Sequence, residues 1–283
     1  MTTVVYTDQP EPFGVHLSPR RMIGGLWAHR GLIVQFARRE VASRYRGHTL
    51  GPLWTVLQPL ALLGIFTFLF AVVFRSRWRT DGSIGEVALQ IFAGLIVFGL
   101  FREMAARAPG LVVGHANYVK RVVFPLQTLP LIDLLVALFT FAVSLGVWLV
   151  GWVLIERAAP HPTILLVPLL MVPVCLSALA VSWTLAALGV FVRDIANITD
   201  LALTVLFFLT PVFYSADRVP PPYDVLVTIN PIAHAIGAAR WAMLGGPPPD
   251  WAWWAGYTVV SALLAVGGYA VFMKSRRAFA DVL

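Results

Sequence analysis

Only two lysines occur in these 283 residues, Lys120 and Lys274, and neither follows a glycine. The chain therefore has no GxxxxGK[ST] loop to cradle a triphosphate, and it cannot hydrolyse ATP by that mechanism. None of the six histidines begins an HExxH helix that would hold zinc, and none has an aspartate five residues later as in an HxxxxD acyltransferase. A GxSxG nucleophile turn is also missing. The lone Cys175 sits within an apolar run, so an internal disulfide and a cysteine-rich zinc site are both excluded. Three acids interrupt or border apolar runs: Glu103, Asp133 and Asp200. Each lies within about two helical turns of a run's end, which fits structural roles better than proton coupling through the membrane. Glu103 has Arg107 four residues on as a partner, while Asp133 has none identifiable in its own neighbourhood. Work that needs energy would have to draw it from a partner.

The elements that carry these groups are six apolar runs, Leu53–Phe74, Val87–Ala106, Leu129–Ile155, Thr163–Phe191, Ile195–Tyr214 and Trp251–Met273. A helix needs about 20 apolar residues, each rising roughly 1.5 Å, to cross the hydrocarbon core. With 59% hydrophobic and 12% charged residues the composition lies outside the soluble range. The expected fold is an all-α integral membrane protein of six spans. No secretory signal is expected at the start, because Asp8 and Glu11 stand where an apolar core would be. With the N-terminus cytoplasmic, fifteen lysines and arginines fall on that side, against Arg75, Arg77, Arg79, Arg157, Arg218 and Arg240 outside. That asymmetry places both termini in the cytoplasm, although the Arg75–Arg79 cluster runs against it. The net charge of +7 comes from basic residues at run ends, where anionic headgroups sit. Membrane lipids, and no nucleic acid, are the partners this implies.

Two regions depart from simple spans. In 26–46, Ile33, Val34, Ala37, Val41 and Tyr45 recur on one side and Gln35, Arg39 and Arg46 lie opposite, as in a helix lying in the headgroup plane. Arg30 and Arg44 project into the apolar stripe, and Glu40 stands four residues before Arg44 as its expected partner. These arginines either anchor the helix or collect an anionic lipid-linked substrate. The second region, Pro211–Gly246, is too proline-rich for a span and too apolar at 225–229 and 232–244 for a free loop. Short helices dipping in and out beside a water-filled path, within 215–246, are expected there. The domain reading is an N-terminal extension over 1–25, an interfacial helix over 26–50, and a membrane domain over 51–283.

Several motifs then align in one order. Arg44-Tyr45-Arg46, Leu50-Gly51-Pro52-Leu53-Trp54 and Gln58-Pro59 resemble the start of ABC-transporter permeases that export lipid-linked polysaccharides, of the O-antigen, teichoic-acid and capsule types. Asn117-Tyr118-Val119-Lys120-Arg121-Val122-Val123-Phe124-Pro125 is similar to their loop between the second and third spans. Phe191-Val192-Arg193-Asp194, Leu209-Thr210-Pro211-Val212-Phe213-Tyr214, Asn230-Pro231 and the terminal Arg277-Ala278-Phe279-Ala280-Asp281-Val282-Leu283 follow in order. The resemblance runs from about residue 26 to the end and is nearest to the O-antigen exporters.

The resemblance implies an inner-membrane homodimer with two cytoplasmic ATPase subunits, which would bind the ATP and magnesium; no cofactor is expected in this chain. Arg44 and Arg46 become candidates for capturing a lipid-linked headgroup through bidentate bonds to phosphate. Trp54, Phe66, Phe70, Phe207, Phe213 and Tyr214 become candidates for lining the channel, since aromatic faces meet sugar C–H groups without fixing them. The short, basic, proline-ended loop with Asn117, Lys120, Arg121 and Pro125 becomes the candidate for ATPase coupling. A capsule or teichoic-acid exporter is the nearest alternative. A membrane-embedded glycosyl or acyl transferase is more remote, for want of any acid, base or metal constellation, and a scaffold without transport stands behind it.

Overall fold

The computed structural model describes residues 16–44, 51–73, 84–116 and 124–283, and among them there is helix but no strand. The first two helices with described bounds are α1 (Pro19–Ala28) and α2 (Arg30–Arg44). Pro19 starts α1 at its first position, where a missing N–H costs nothing. The break falls at His29, whose backbone leaves the helical region and whose Nδ1 lies 2.7 Å from the Gly25 carbonyl. The single helix expected over 26–46 is thus two, and the first begins inside the segment read as an extension.

Among the described residues six apolar helices follow. α3 (Trp54–Thr67) continues into a wider π-helical turn over Phe68–Val73. α4 is Ile84–Arg107, α5 is Leu129–Glu156, α6 is Val172–Phe191, α7 is Ile195–Leu209, and α10 (Trp251–Ser275) comes last. With their flanking turns, four are long and apolar enough to cross a membrane: Ile84–Gly110, Leu126–Glu156, Pro162–Phe191 and Trp251–Val282. α7 has 15 residues, short of the roughly 20 that a direct crossing takes, and α3 has 14 before its π-helical continuation. The fifth apolar run was expected to reach Tyr214, yet α7 stops at Leu209. Pro211 has no N–H to offer the helix and forces Thr210 into extended backbone. Between α7 and α10 lie two short helices, α8 (Asp224–Thr228) and α9 (Pro231–Leu244), in the region read as short dipping segments.

The core is continuous across α4, α5, α6, α9 and α10. Its buried tryptophans find partners for their indole N–H groups: Trp148 donates to the Leu89 carbonyl at 3.0 Å and Trp183 to that of Gln127 at 3.1 Å. Trp183 also meets Tyr269 edge-on, with centroids 5.4 Å apart, tying α6 to α10. Small residues bring backbones close there. A Cβ added at Gly268 would collide with the Ala180 carbonyl oxygen, and one at Gly189 with that of Pro109. At the chain's end Phe279 is fully buried, 5.4 Å from Phe272 and 6.0 Å from Phe191. The terminal motif therefore folds back onto the ends of α6 and α10.

Candidate functional site

Five charged groups from three helices converge at one end of the bundle. Arg44 of α2 pairs with Glu103 of α4, and its Nη1 lies 3.5 Å from the Thr140 hydroxyl of α5. Arg107 of α4 donates to Glu40 of α2 at 2.8 Å and reaches Asp133 of α5 at 3.0 Å. Both expected i,i+4 pairs, Glu40 with Arg44 and Glu103 with Arg107, are therefore exchanged for partners on another helix. Asp133, partnerless in the sequence, receives Arg107 and is almost fully buried.

That exchange explains the imperfect stripe on α2. Arg44 breaks the apolar side because that side faces protein: Ile33 and Ala37 are buried in the core, and Phe36 meets Phe124 at 5.2 Å. Val34, expected with them, is 42% exposed. A helix resting its whole stripe on headgroups would not bury it this way, so part of the stripe, Ile33 and Ala37, is docked on protein, with ion pairs to α4 beside it. Pro125 precedes the turn that opens α5, its carbonyl accepting from the Thr128 N–H at 2.9 Å and hydroxyl at 2.7 Å. Arg46, Asn117, Lys120, Arg121, the side chain of Phe70 and the Arg75–Arg79 cluster lie outside the described residues.

At the opposite end the segment after α7 is held by α9. Asn230 caps α9, its Oδ1 accepting from the N–H groups of Ile232 at 3.0 Å and Ala233 at 3.4 Å. Its amide N–H₂ donates to the Thr210 hydroxyl at 2.8 Å. Ten residues on, Arg240 donates to the carbonyls of Pro211 and Val212, both at 2.7 Å, and to that of Gln90 in α4 at 3.1 Å. Proline and its neighbours leave carbonyls that no helix satisfies, and a guanidinium with five donors suits several at once. Gly94 leaves the room: a Cβ there would come within 2.9 Å of Arg240 Nη2.

Three of the six aromatic candidates come together beside this clamp. Phe66 of α3 lies 4.6 Å from Phe213, Phe213 lies 5.1 Å from Phe207, and Phe207 lies 5.0 Å from Phe98 of α4. The chain of rings joins α3, α7 and α4 through the 210–213 segment, and Phe213 is buried within it. Trp54 is not part of it: it stands 12 residues earlier on α3, about 18 Å away along the axis, and is 46% exposed. The Tyr214 hydroxyl donates to the carbonyls of Leu209 at 3.0 Å and Phe208 at 3.3 Å, closing the end of α7. The helices α3 and α7 bury little else. Thr55 alone is buried on the first, Thr199 and Leu203 on the second, leaving Leu60, Ile65, Ile198, Leu201 and Val205 exposed on the single chain.

The family model for ABC-2 type transporters matches residues 32–244, from α2 through α9. The chain belongs to that family. Curated relatives agree over most of its length. This ABC-2 chain is 25% identical over 258 residues to the O-antigen export system permease protein RfbA of Klebsiella pneumoniae, covering 89% of this chain and 95% of that one. It is 27% identical over 264 residues to the RfbA of Myxococcus xanthus, covering 92% and 98%. To the polysialic acid transport protein KpsM of Escherichia coli it is 26% identical over 215 residues, covering 74% and 79%.

Two groups important to the ABC-2 chain escaped the sequence reading. Arg240 was counted as an outer loop charge, although a lone cation in the apolar helix 231–244 is the mark of an internally partnered group. Phe98 stood among many apolar residues of the second run and carried no distinguishing signal. Asn230-Pro231 is also a helix start, a cap residue followed by proline. The structure gives that motif its work, since Asn230 grips the Thr210 of the other motif.

Proposed function

We propose that this ABC-2 chain is the membrane subunit of an ATP-driven exporter of lipid-linked polysaccharide, with O-antigen as its cargo. The observation that carries this is coverage: the O-antigen permeases align over nearly their whole length, the polysialic acid protein over 79% of its own. A capsular cargo is the second reading, favoured by that same KpsM similarity. In the proposed assembly two copies cross the inner membrane six times each, α3 and α7 included, with cytoplasmic termini, α8 and α9 dipping in from the outside, and two ATPase subunits beneath. The exposed apolar faces of α3 and α7 support a second copy beside them, because they bury so little against their own chain. Two shorter helices also match a pair that is covered by protein rather than spanning lipid alone. The lysine-poor sequence without a phosphate loop supports ATP and magnesium being bound by the partner.

Deleting the gene is expected to leave the polysaccharide inside the cell, and the tagged chain is expected to carry an ATP-binding subunit through purification. The 117–125 loop is the proposed coupling surface. Reversing Lys120 and Arg121 to glutamate should release that subunit while membrane amounts of the chain stay unchanged. Normal export with normal ATPase stoichiometry in the double variant would place the contact elsewhere.

Arg44 and Arg46 are proposed to receive the anionic headgroup. Glu103 engages Arg44 Nη1, yet a guanidinium carries five donors, so the pair orients the fork without exhausting it. Arg→Gln at both positions should reduce export heavily and Arg→Lys modestly, because lysine keeps the charge and loses the fork. Unchanged export in the glutamine variants, at equal membrane amounts, would leave the two as anchors.

A further inference from the structure

A cavity of about 350 Å³ opens between α9 and the start of α10, at the end of the bundle opposite the Arg44–Glu103 pair. It is near the small end of ligand-sized pockets and belongs to neither the charged cluster nor the phenylalanine chain. Its walls include His234 and Gly237 from α9, and Asp250, Trp253, Trp254 and Tyr257 from α10 and its cap. His234 stacks on Trp253 with centroids 3.8 Å apart and planes within 23°, and Tyr257 lies 5.3 Å beyond. The aromatic wall is thus built of rings that fix one another.

The polar groups are few and of both kinds: Asp250 and His234 offer acceptors, and the buried Trp254 indole N–H is a donor with no partner among the described residues. His234 Nε2 faces the Thr228 carbonyl at 2.8 Å and must donate to it, which makes Nδ1 the acceptor nitrogen of the neutral ring. Asp250 caps α10 through Oδ1, accepting from Ala252 at 2.9 Å and Trp253 at 3.2 Å, so its charge is partly balanced by the helix terminus. Among the described residues no lysine or arginine lines the cavity. A phosphate or a sugar acid would therefore meet a carboxylate and no cation. An acyl chain would suit the alanine, proline and tryptophan walls but would leave the buried Trp254 indole N–H, which has no partner among the described residues, unsatisfied.

We propose that this cavity is a subsite for a neutral sugar residue of the exported chain, packed on the His234–Trp253–Tyr257 wall with its hydroxyls donating to Asp250 and His234. Aromatic rings supply area for the C–H face of a pyranose, and the acceptors read its hydroxyls. The inference rests on the export reading above. It adds that the outer end discriminates neutral from acidic sugars.

Gly237 supplies a clean probe. A Cβ built on it meets nothing within 4 Å, so a leucine there enters the cavity from α9 without disturbing the wall on α10. The assembly with its ATPase subunit is reconstituted in nanodiscs and titrated with the strain's own surface polysaccharide, cleaved from its lipid, and separately with polysialic acid. Saturable binding of the strain's polymer is expected, weakened about tenfold by Gly237→Leu and by Trp253→Ala, the loss one aromatic contact carries. Polysialic acid should not bind saturably. Equal binding by wild type and Gly237→Leu overturns the subsite, as does binding of polysialic acid alone. Co-purifying phospholipid that Gly237→Leu expels would make the cavity a lipid site and overturn it too. A gene deletion is run in parallel. Intact surface polysaccharide after deletion sinks the export reading, whereas lost export with unchanged binding by Gly237→Leu sinks the subsite alone.

Discussion

Arg240→Met is expected to lower stability by about 3 kcal/mol, read as a clear fall in the thermal unfolding midpoint of the detergent-solubilised chain. The guanidinium donates to three carbonyls, and two of them, on Pro211 and Val212, lie where α7 has already ended. Each polar group left without a partner costs about 1–3 kcal/mol. Removing a buried cation also removes its desolvation cost, which keeps the net loss below the simple total. Arg240→Lys should fall between, since an ammonium lacks the planar fork that spans Gln90 and the 211–212 segment together. An Arg240→Met chain that unfolds at the wild-type temperature would show that the clamp contributes nothing.

Arg107→Leu should have a comparable effect by another route. Asp133 is 2% exposed and, among the described residues, its Oδ2 has no hydrogen-bond partner and Arg107 is the cation that reaches it. Stripping the cation leaves a buried carboxylate near Glu103, a loss of about 3–5 kcal/mol for a well-buried pair. The lower end applies here, because Arg107 is 34% exposed and its contact with Glu40 is partly screened by solvent. Asp133→Asn added to Arg107→Leu should recover most of the loss, because the buried charge is gone. If the double variant is no more stable than Arg107→Leu, an uncompensated Asp133 is not what the arginine prevents.

The apolar runs made the helices legible, since period and length report burial in a membrane as they do in a core. Where the chain stops being helical was only partly legible. Pro211 sat inside the run expected to end at Tyr214, and its effect on Thr210 ends α7 five residues sooner. His29 carried no such mark, so the break between α1 and α2 was invisible. Pairing was the least accessible feature. Glu40 and Arg44, like Glu103 and Arg107, have the spacing of a within-helix pair, and nothing local says that each prefers the other's partner. That preference comes from α2 docking on α4 and α5, a tertiary fact. Which aromatic candidates meet one another was hidden for the same reason: Phe66, Phe207 and Phe213 pack together, while Trp54 lies a helix length away.

The two grips of α9 on the segment after α7 have a mechanical consequence. Asn230 and Arg240 stand ten residues apart, about 15 Å along the axis, and both hold residues 210–212. One attachment would allow α9 to swivel; two so widely spaced do not. The helix and the end of α7 therefore travel as a single rigid lever, with Arg240 also bearing on α4 as its fulcrum. Freedom is left where the lever joins α10, at Gly245 and Gly246, whose φ angles of 80° and 112° suit glycine and few other residues. A displacement of α7 would therefore load both grips at once, and the glycine pair is where the backbone between α9 and α10 can turn.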